Sequence, residues 1–257
     1  MKAREFYKII LITILFSAKA FGFTVLIDPG HGGDDLGAVG QIEVGPRKKE
    51  VAVYEKDVSL DLSKRILLEL KGKGIKGFLS RSIDRTVSLA DRAQMAEKIK
   101  ADLYISVHLN ASTQKEPRGF ETYYLDNHQD AAVRKVEEAE NKDLSGEALI
   151  VNQILTDLVI DKTVETSKGL ALKIHNQIHA DIGKSFGLVN RGIKPGLFYV
   201  LALAKRPAIL LEVGFISNEK ELKRLMTKEF QRRYAKAVAK GIADYLKKKS
   251  NATLPLF

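Results

Sequence analysis

The chain has 257 residues, a formal net charge of +10 at pH 7 and no cysteine. Without cysteine it can form no disulfide bond and no thiolate-bound metal site, so a metal would have to be held by histidine and carboxylate side chains. The length fits one large α/β domain. The sequence contains neither an internal repeat nor a Pro/Ser-rich linker that would predict a second domain.

The first twenty residues have the pattern of a secretory signal peptide. Lys2, Arg4 and Lys8 form a basic start, Ile9–Phe16 is a short apolar run, and residues 18–20 read Ala-Lys-Ala, a small-x-small cleavage pattern. The alternative is an uncleaved anchor, but the apolar run is well short of the ~20 residues that a membrane span needs. We therefore predict export, to the periplasm or alternatively to the cell wall, with no stable membrane span after cleavage.

The basic charge is a weaker indicator. Removing residues 1–20 takes away four basic side chains and one acidic one, which lowers the net charge from +10 to +7. A basic exported protein can bind nucleic acid, anionic lipid or an anionic wall polymer. No nucleic-acid motif accompanies the charge, and much of it is dispersed on helix-like stretches such as Lys223–Lys249, a pattern typical of a solvated surface. We expect a wall-associated role and no nucleic-acid partner.

Strand-like and helix-like segments alternate along the rest of the chain. The predicted strands are Thr24–Ile27, Gly77–Ser80, Leu103–Val107, Phe120–Tyr124, Leu197–Leu201 and Ala208–Leu211. The predicted helices are Lys56–Lys71, Leu89–Lys100, Leu170–Ile182 and Glu219–Lys249. This alternation predicts a single α/β domain over residues 21–249, with a mostly parallel twisted sheet of about six strands flanked by helices on both faces, and a C-terminal tail at 250–257.

Three of the apolar runs lead into side chains that commonly bind metals. TVLIDPGHGG leads into His31, YISVHLNA into His108, and AILLEVGFISN into Glu212. Glycines on both sides of His31 let the backbone turn sharply and leave the imidazole accessible, and Asp28 is placed to orient that loop. Functional sites of buried parallel sheets gather beyond the carboxyl ends of the strands. The sequence therefore predicts a metal site, and our interpretation is a zinc hydrolase.

The rest of the ligand set is less defined. A catalytic zinc normally has three protein ligands and a position for water. Glu55 opens the first predicted helix, where it can point back to the sheet edge or be a first-turn glutamate favoured by the helix dipole. Glu212 ends an apolar run in which an unused carboxylate is costly, so it is either a fourth ligand or the general base. His175 and His179 lack the glutamate of His-Glu-x-x-His, and we interpret them as surface or core-edge residues.

Six segments together resemble the zinc-dependent N-acetylmuramoyl-L-alanine amidases of the type-3 family, especially the exported cell-division amidases. The segments are TVLIDPGHGG, EKDVSLDL, LSRSIDRTVSLADRAQMAEKIKADLYISVHLNAS, GFETYYL, NRGIKPGLFYVL and PAILLEVGFISN, and the resemblance runs from about Thr24 to Leu246. It implies hydrolysis of the amide between N-acetylmuramic acid and the L-alanine of the stem peptide in peptidoglycan. It also implies that His31, Glu55 and His108 hold one Zn²⁺ and that Glu212 is the catalytic acid–base.

Two further residues are candidates for the site. Asn110 and Arg191 can hydrogen-bond to the substrate, although both residue types also serve as ordinary loop-fixing residues. We expect a monomer. The chain departs from the family pattern at an extra basic piece, Gly45–Lys49, which lengthens the loop before Glu55 and leaves Glu50 as the alternative ligand. It also has no recognisable accessory wall-binding domain.

The connection over residues 126–168 is longer than is usual between packed elements, and such connections are usually functional. The alternative is a pair of ordinary surface helices. In the cell-division amidases, a helix inserted here occupies the groove and presents a carboxylate to the zinc until a partner removes it. The resemblance thus implies autoinhibition, with Glu140 as the blocking residue and the apolar run Ala148–Val159, including Ile154 and Leu158, as the binding site of an activator protein.

Two other functions remain open at this point. One is a catalytically idle peptidoglycan-binding module, which would need neither an open zinc position nor a base, so the presence of both histidines and both carboxylates argues against it. The other is a zinc peptidase that cuts within the stem peptide, which only an analysis of the products separates from an amidase.

Overall fold

The computed structural model describes residues 22–142 and 147–252, without the side chains of 147–154 and 249–252. The predicted signal peptide therefore lies outside the described residues. The strands are β1 (Thr24–Pro29), β2 (Val39–Val44), β3 (Lys49–Tyr54), β4 (Lys76–Leu79), β5 (Leu103–Asn110), β6 (Phe120–Leu125), β7 (Asn190–Gly196) and β8 (Ala208–Phe215). The helices are α1 (Glu55–Gly72), α2 (Leu89–Lys98), α3 (Ala131–Glu140), α4 (Glu147–Ile178), α5 (Tyr199–Ala204), α6 (Glu219–Leu225) and α7 (Lys228–Ala252).

Six of these strands form one sheet in the order β4-β1-β5-β8-β6-β7. Every pairing is parallel except that of β6 with β8. Strands β1, β5 and β8 are buried along their whole length, which explains why their sequences are nearly continuous apolar runs. The predicted α/β fold with a mostly parallel six-stranded sheet is confirmed, and the carboxyl ends of β1, β5 and β8 meet at one edge.

Side chains alternate between two layers that cover the faces of the sheet. Val25 and Ile27 of β1 pack in the layer of α1, α4 and α7, whereas Leu26 packs in the layer of α2 and α5. The predicted stripe on α1, from Val58 to Leu70 at spacings of four, is buried against the first layer. Among the helices that the structure describes, none has the length and apolar character to cross a membrane.

The predicted strand over Leu197–Leu201 is wrong, because this segment enters helix α5. A short apolar run fits a buried helix as well as a buried strand, and periodicity alone does not separate the two. Helix α5 is buried on the sheet face and ends at Ala204, and the next residue, Lys205, has a left-handed φ of 52°. The sixth strand is instead β7, whose residues are mostly half-buried or exposed. The predicted helix at 219–249 is divided into α6 and α7.

A two-stranded hairpin, β2 with β3, lies between His31 and Glu55 and was not predicted. Its tip contains the basic piece Gly45–Lys49, and its strands are mostly exposed. At its base, the backbone N–H of Glu55 donates to the carbonyl of Ala38 (3.0 Å). The extra residues therefore do not carry Glu55 away from His31, because the hairpin returns the chain to the sheet edge where α1 begins.

Candidate active site

Four side chains from four different elements converge at the carboxyl edge of the sheet. They are His31 in the loop after β1, Glu55 at the first residue of α1, His108 in β5 and Glu140 at the last residue of α3. One ligand atom of each lies within 4.8 Å of the others. Glu50 lies on the exposed strand β3 and is not part of this cluster.

His31 is fixed with one ring nitrogen facing the cluster. Its φ of 59° is left-handed, and the following Gly32 and Gly33 also have positive φ, so the chain turns sharply here. Nδ1 of His31 contacts Oδ2 of Asp35 at 2.7 Å. Nε2 is buried, makes no hydrogen bond to any described atom, and lies 3.2 Å from Oε2 of Glu55. Metal-binding histidines are usually oriented by a carboxylate that contacts the ring nitrogen not bound to the metal.

The backbone around His31 is held from below by a buried ion pair. Nη1 of Arg92 donates to Oδ1 of Asp28 (2.6 Å) and to the carbonyl of Pro29 (2.7 Å), and Nη2 donates to the carbonyl of His31 (2.8 Å). Tyr104 also donates to Asp28. Burial raises the pKa of Asp28, but Arg92 and the hydrogen bonds outweigh it and lower that pKa. Asp28 thus acts on the loop through Arg92, consistent with the role expected from the sequence.

Two glycines, which have no side chain, provide the space for the side chains of the ligand cluster. A Cβ atom on Gly30 would lie 2.6 Å from Nε2 of His108. A Cβ atom on Gly37 would lie 2.6 Å from Cδ2 of His31 and 2.8 Å from Oε2 of Glu55, at a φ of 66° that already favours glycine. Any side chain at these two positions would displace a ligand.

The carboxylate of Glu55 is oriented by backbone donors. Oε1 accepts from the N–H of Leu109 (2.8 Å) and Oε2 from the N–H of Ala38 (2.9 Å). Burial alone would raise the pKa of Glu55, but the charges of His31 and His108 and the hydrogen bond with His108 reverse the effect and lower it. Glu55 is therefore a buried, ionised group rather than an exposed first-turn glutamate.

The histidine pKa values show how strongly this cluster attracts positive charge. Burial lowers the pKa of His31, but the charge of the nearby Glu55 and the hydrogen bond with Asp35 raise it to about 10. Burial likewise lowers the pKa of His108, whereas Glu140 and Glu55 raise it well above its ordinary value. The cluster offers two imidazole nitrogens and two carboxylate oxygens, a donor set that fits a zinc ion. One of these nitrogens, Nε2 of His31, makes no hydrogen bond to the described residues.

Glu212 lies beside the cluster without a partner of its own. In β8 it is in register with His108 of β5 on one side and with Glu121 of β6 on the other. Both of its carboxylate oxygens are buried, and neither makes a hydrogen bond within the described chain. Burial and the charges of Glu140 and other carboxylates raise its pKa well above the ordinary value. A strand-bound carboxylate with a raised pKa is suited to accept a proton near neutral pH.

Helix α3 is attached by two side chains on the turn that carries Glu140. Oε1 of Glu137 accepts from the N–H of Leu197 and contacts Nε2 of His128 at 2.6 Å. Asn141, the residue after α3, donates through Nδ2 to the carbonyl of Leu197 (2.8 Å) and accepts at Oδ1 from the N–H of Tyr199 (3.0 Å). We call these contacts of Glu137, His128 and Asn141 the α3 latch. They fix the end of α3, so Glu140 is positioned in the cluster.

Asn110 and Arg191 line the same cavity of about 660 Å³ as the cluster and Glu212. Both contact Glu121, a buried residue of β6 that sequence reasoning missed: Nδ2 of Asn110 lies 3.3 Å from its Oε2, and Nε of Arg191 donates to its Oε1. The sequence contained one indication of Glu121: it is a carboxylate inside the apolar run GFETYYL, just as Glu212 lies in an apolar run. His175, expected at the surface or at the edge of the core, is buried outside the ligand cluster, with Nε2 2.7 Å from Oδ1 of Asn190.

The family of this chain follows from its match to a known family model. Residues 25–244 match the family model of N-acetylmuramoyl-L-alanine amidase. The chain belongs to the N-acetylmuramoyl-L-alanine amidase family. The resemblance stated from the motifs is thereby confirmed, together with the expected class of enzyme, the hydrolases that act on amide bonds.

The amidase relatives match the chain along most of its length. LytC of Bacillus subtilis (strain 168) is 31% identical over 224 residues, which is 87% of this chain but 36% of LytC. AmiA of Escherichia coli (strain K12) is 32% identical over 230 residues, 86% of this chain and 75% of AmiA. The chain thus spans about a third of one amidase and three quarters of the other.

Two solved amidases share the fold. AmiC2 of Nostoc punctiforme has a TM-score of 0.65 at 30% identity, covering 88% of this chain and 97% of that one. CwlD of Clostridioides difficile, solved in complex with the GerS lipoprotein, has a TM-score of 0.65 at 25% identity, covering 88% and 99%.

Proposed function

We propose that this amidase-family chain is a zinc enzyme that hydrolyses the amide between N-acetylmuramic acid and L-alanine in peptidoglycan, for remodelling of the wall or separation of daughter cells. The observation that carries the proposal is the convergence of His31, Glu55 and His108 next to Glu212, a buried carboxylate without a partner. Ligands and a base at one sheet edge are the parts that metal-assisted hydrolysis requires.

In this proposal His31, Glu55 and His108 would hold one Zn²⁺. When bound, zinc supplies Lewis acidity, which polarises a carbonyl oxygen and lowers the pKa of water. The protein contributes by keeping these ligands in place: Asp35 orients His31, while the N–H groups of Ala38 and Leu109 orient Glu55. Because the ligands are set by surrounding contacts, little reorganisation is needed when the substrate arrives.

Glu212 would be the general acid–base of the reaction. Its carboxylate takes a proton from the attacking water and returns it to the nitrogen of the departing L-alanine, the two-stage role of such groups. Its position in β8 is fixed by the sheet, and it accepts no hydrogen bond from the described residues, so both oxygens are available for this transfer.

Glu140 would keep the resting enzyme inactive. Its Oε2 lies 2.8 Å from Nδ1 of His108 and 3.5 Å from Nε2 of His31, within the ligand cluster. A carboxylate there competes with water for the position that catalysis needs. Helix α3 also lines the cavity through Ala132, Val136 and Ala139, so the same element excludes the substrate.

An activator would release α3 by binding the connection at 126–168. Leu158 on α4 is 53% exposed, so its side chain is accessible to a partner; the predicted contact Ile154 lies outside the described side chains. The CwlD structure contains a GerS lipoprotein, which supports a protein partner for this fold. Leu158→Glu should abolish stimulation by the activator while leaving basal hydrolysis unchanged. The matched control is Leu172→Glu, since Leu172 lies on the same helix beyond the connection and is 49% exposed.

We also propose that the chain is exported to the periplasm through residues 1–20 and acts as a monomer. The family to which it belongs acts on a wall polymer, and a wall polymer lies outside the cytoplasm. Detection of the mature chain in a periplasmic fraction, with an N-terminus at or near residue 21, would test this directly.

The reaction itself is tested by mass spectrometry of digested peptidoglycan. An amidase leaves a free lactyl carboxylate on the sugar and a free amine on L-alanine. Cleavage inside the stem peptide would instead identify a peptidase, and binding without any product would identify a wall-binding module. The assay needs the zinc-loaded protein in a form without the blocking carboxylate, such as Glu140→Ala.

A further inference from the structure

Next to the ligand cluster, the cavity contains a group of charged residues that the proposed reaction does not use. Glu121 of β6 is 2% exposed, and its carboxylate contacts four donors. Oε1 accepts from Arg191 and, at 3.0 Å, from Nζ of Lys194. Oε2 accepts from Tyr123 and, at 3.3 Å, from Asn110. The carboxylate is thus fully hydrogen-bonded, and one negative charge faces two positive ones.

The contacts of Arg191 leave the two terminal nitrogens of its guanidinium available to bind a ligand. The guanidinium contacts Glu121 through Nε, and it lies 5.3 Å above the ring of Phe215. Among the described residues, its two terminal nitrogens donate no hydrogen bond, and 35% of the side chain is exposed. These two nitrogens form the planar fork that binds a carboxylate through two parallel hydrogen bonds.

The position of this fork suits recognition of the substrate. Glu121 is the cross-strand partner of Glu212, so their Cα atoms are roughly 5 Å apart. Arg191 and Lys194 line the same cavity as Glu212 and the ligand cluster. Arg92, Lys135 and Lys142 also line this cavity. Arg92 is paired with Asp28, and the two lysines belong to α3 and the segment that follows it, so Arg191 and Lys194 provide a separate basic point beside Glu212.

Building on the proposed function, we propose that Arg191 and Lys194, anchored on Glu121, form an anion subsite that binds a carboxylate of the stem peptide close to the cleaved amide. Glu121 is a positioning residue, since it holds the two cations and does not itself touch the substrate. The bound carboxylate belongs either to an acidic residue next to L-alanine or to the C-terminus of the peptide. The hydrogen-bond chain from His175 through Asn190 supports the turn that carries Arg191.

The test measures kcat/KM for a matched set of muropeptides in the zinc-loaded Glu140→Ala background. One substrate has all carboxylates free, a second has the carboxylate of the residue next to L-alanine converted to an amide, and a third has the terminal carboxylate amidated. We expect one of the two amidations to raise KM and lower kcat/KM about 10- to 100-fold, the value of a charge-assisted pair of hydrogen bonds, with kcat nearly unchanged. The amidation that causes the loss identifies the carboxylate.

The variants are Arg191→Gln and Lys194→Gln, with Lys135→Gln as the control because Lys135 lines the cavity from α3 and has no contact with Glu121. The first two should lose the preference for the free carboxylate and still cleave the amidated substrate, whereas Lys135→Gln should keep the preference. Equal cleavage of all three substrates before any mutation would overturn the subsite and leave the amidase function standing. If no substrate is cleaved at the lactyl amide, the function fails and the subsite fails with it.

Discussion

Oε2 of Glu140 lies 2.8 Å from Nδ1 of His108, although one residue ends an inserted helix and the other belongs to a central strand. This contact joins helix α3, the element that we propose to be regulatory, directly to the ligand cluster. A carboxylate held there lowers the electrostatic free energy of the two buried histidines when they are charged, and it would occupy a coordination position when zinc is bound.

Loss of either histidine should remove the metal. The purified mature chain should bind about one zinc, and His31→Ala or His108→Ala should weaken zinc binding by at least about a hundredfold, because each deletes one ligand nitrogen and leaves the others poorly held. Metal content after dialysis and calorimetric titration measure this. Glu50→Gln is the control, since Glu50 is exposed and outside the cluster. Full occupancy in both alanine variants would contradict the assignment.

Zinc affinity should rise with pH across the neutral range. The pKa of about 10 for His31 means that its ring is protonated at pH 7 in the metal-free protein, and the raised pKa of His108 favours the protonated form of that ring as well. Zinc needs neutral imidazoles, so its binding must release at least about one proton, and affinity should increase about tenfold or more per pH unit. Titration calorimetry in buffers of different ionisation enthalpy counts these protons.

The same pKa shifts determine whether the stability of the metal-free protein rises or falls with pH. A histidine pKa raised from 6.5 to about 10 contributes stability that is fully present below pH 6.5 and is lost as the pH rises through 10. Metal-free protein should therefore be less stable at pH 10 than at pH 7. A metal-binding equilibrium that releases no proton at pH 7 would show that the histidines are not charged in the absence of metal.

Glu212→Gln should separate catalysis from metal binding. The amide has nearly the same shape but cannot accept the proton, so turnover should fall by about 10²–10⁴ while zinc content and the thermal midpoint stay close to those of the parent protein. The measurement compares kcat and zinc content of both proteins in the Glu140→Ala background. Loss of zinc together with activity would instead make Glu212 a ligand, the alternative left open by its sequence.

The α3 latch should control basal activity from outside the ligand cluster. Asn141→Ala removes two hydrogen bonds to the Leu197–Tyr199 segment, and each contributes about 0.5–1.5 kcal/mol to holding the helix. The open fraction of α3, and with it the basal rate, should rise several-fold or more. Asn127→Ala is the control, because Asn127 is exposed in the same connection and is not part of the latch. A basal rate that Asn141→Ala leaves unchanged would show that these bonds do not restrain α3.

The central strands could be predicted from sequence because burial on both faces makes them continuous apolar runs. For the same reason His31, His108 and Glu212 could be assigned to one edge: parallel neighbouring strands end on the same side. Glu55 could be placed only through a resemblance, since its position depends on the hairpin β2–β3 that returns the chain to Ala38. The strands of this hairpin are short and mostly exposed, and a run of basic residues joins them, so the alternation of polar and apolar side chains predicts them only weakly.

Contacts between distant side chains were beyond the sequence. Glu121 became recognisable as an anchor only when β6 and β7 paired and brought Arg191 and Lys194 to it, 70 or more positions away. On α3, the sequence offers Glu137, Glu138 and Glu140 as similar candidates for the cluster. The structure distinguishes them by direction: Glu137 contacts the Leu197 N–H, Glu138 is exposed, and Glu140 enters the ligand cluster.

The central claim is a zinc amidase whose active site is blocked by Glu140, and one measurement tests it most directly. Zinc-loaded wild type, Glu140→Ala and Glu138→Ala are incubated with purified peptidoglycan and no partner protein, and the release of free L-alanine amines is followed over time, with mass spectrometry of the products. We predict fast cleavage at the lactyl amide by Glu140→Ala and little by the other two, because Glu138 points away from the cluster. Equal, low release by all three proteins, each folded and loaded with zinc, would contradict the account.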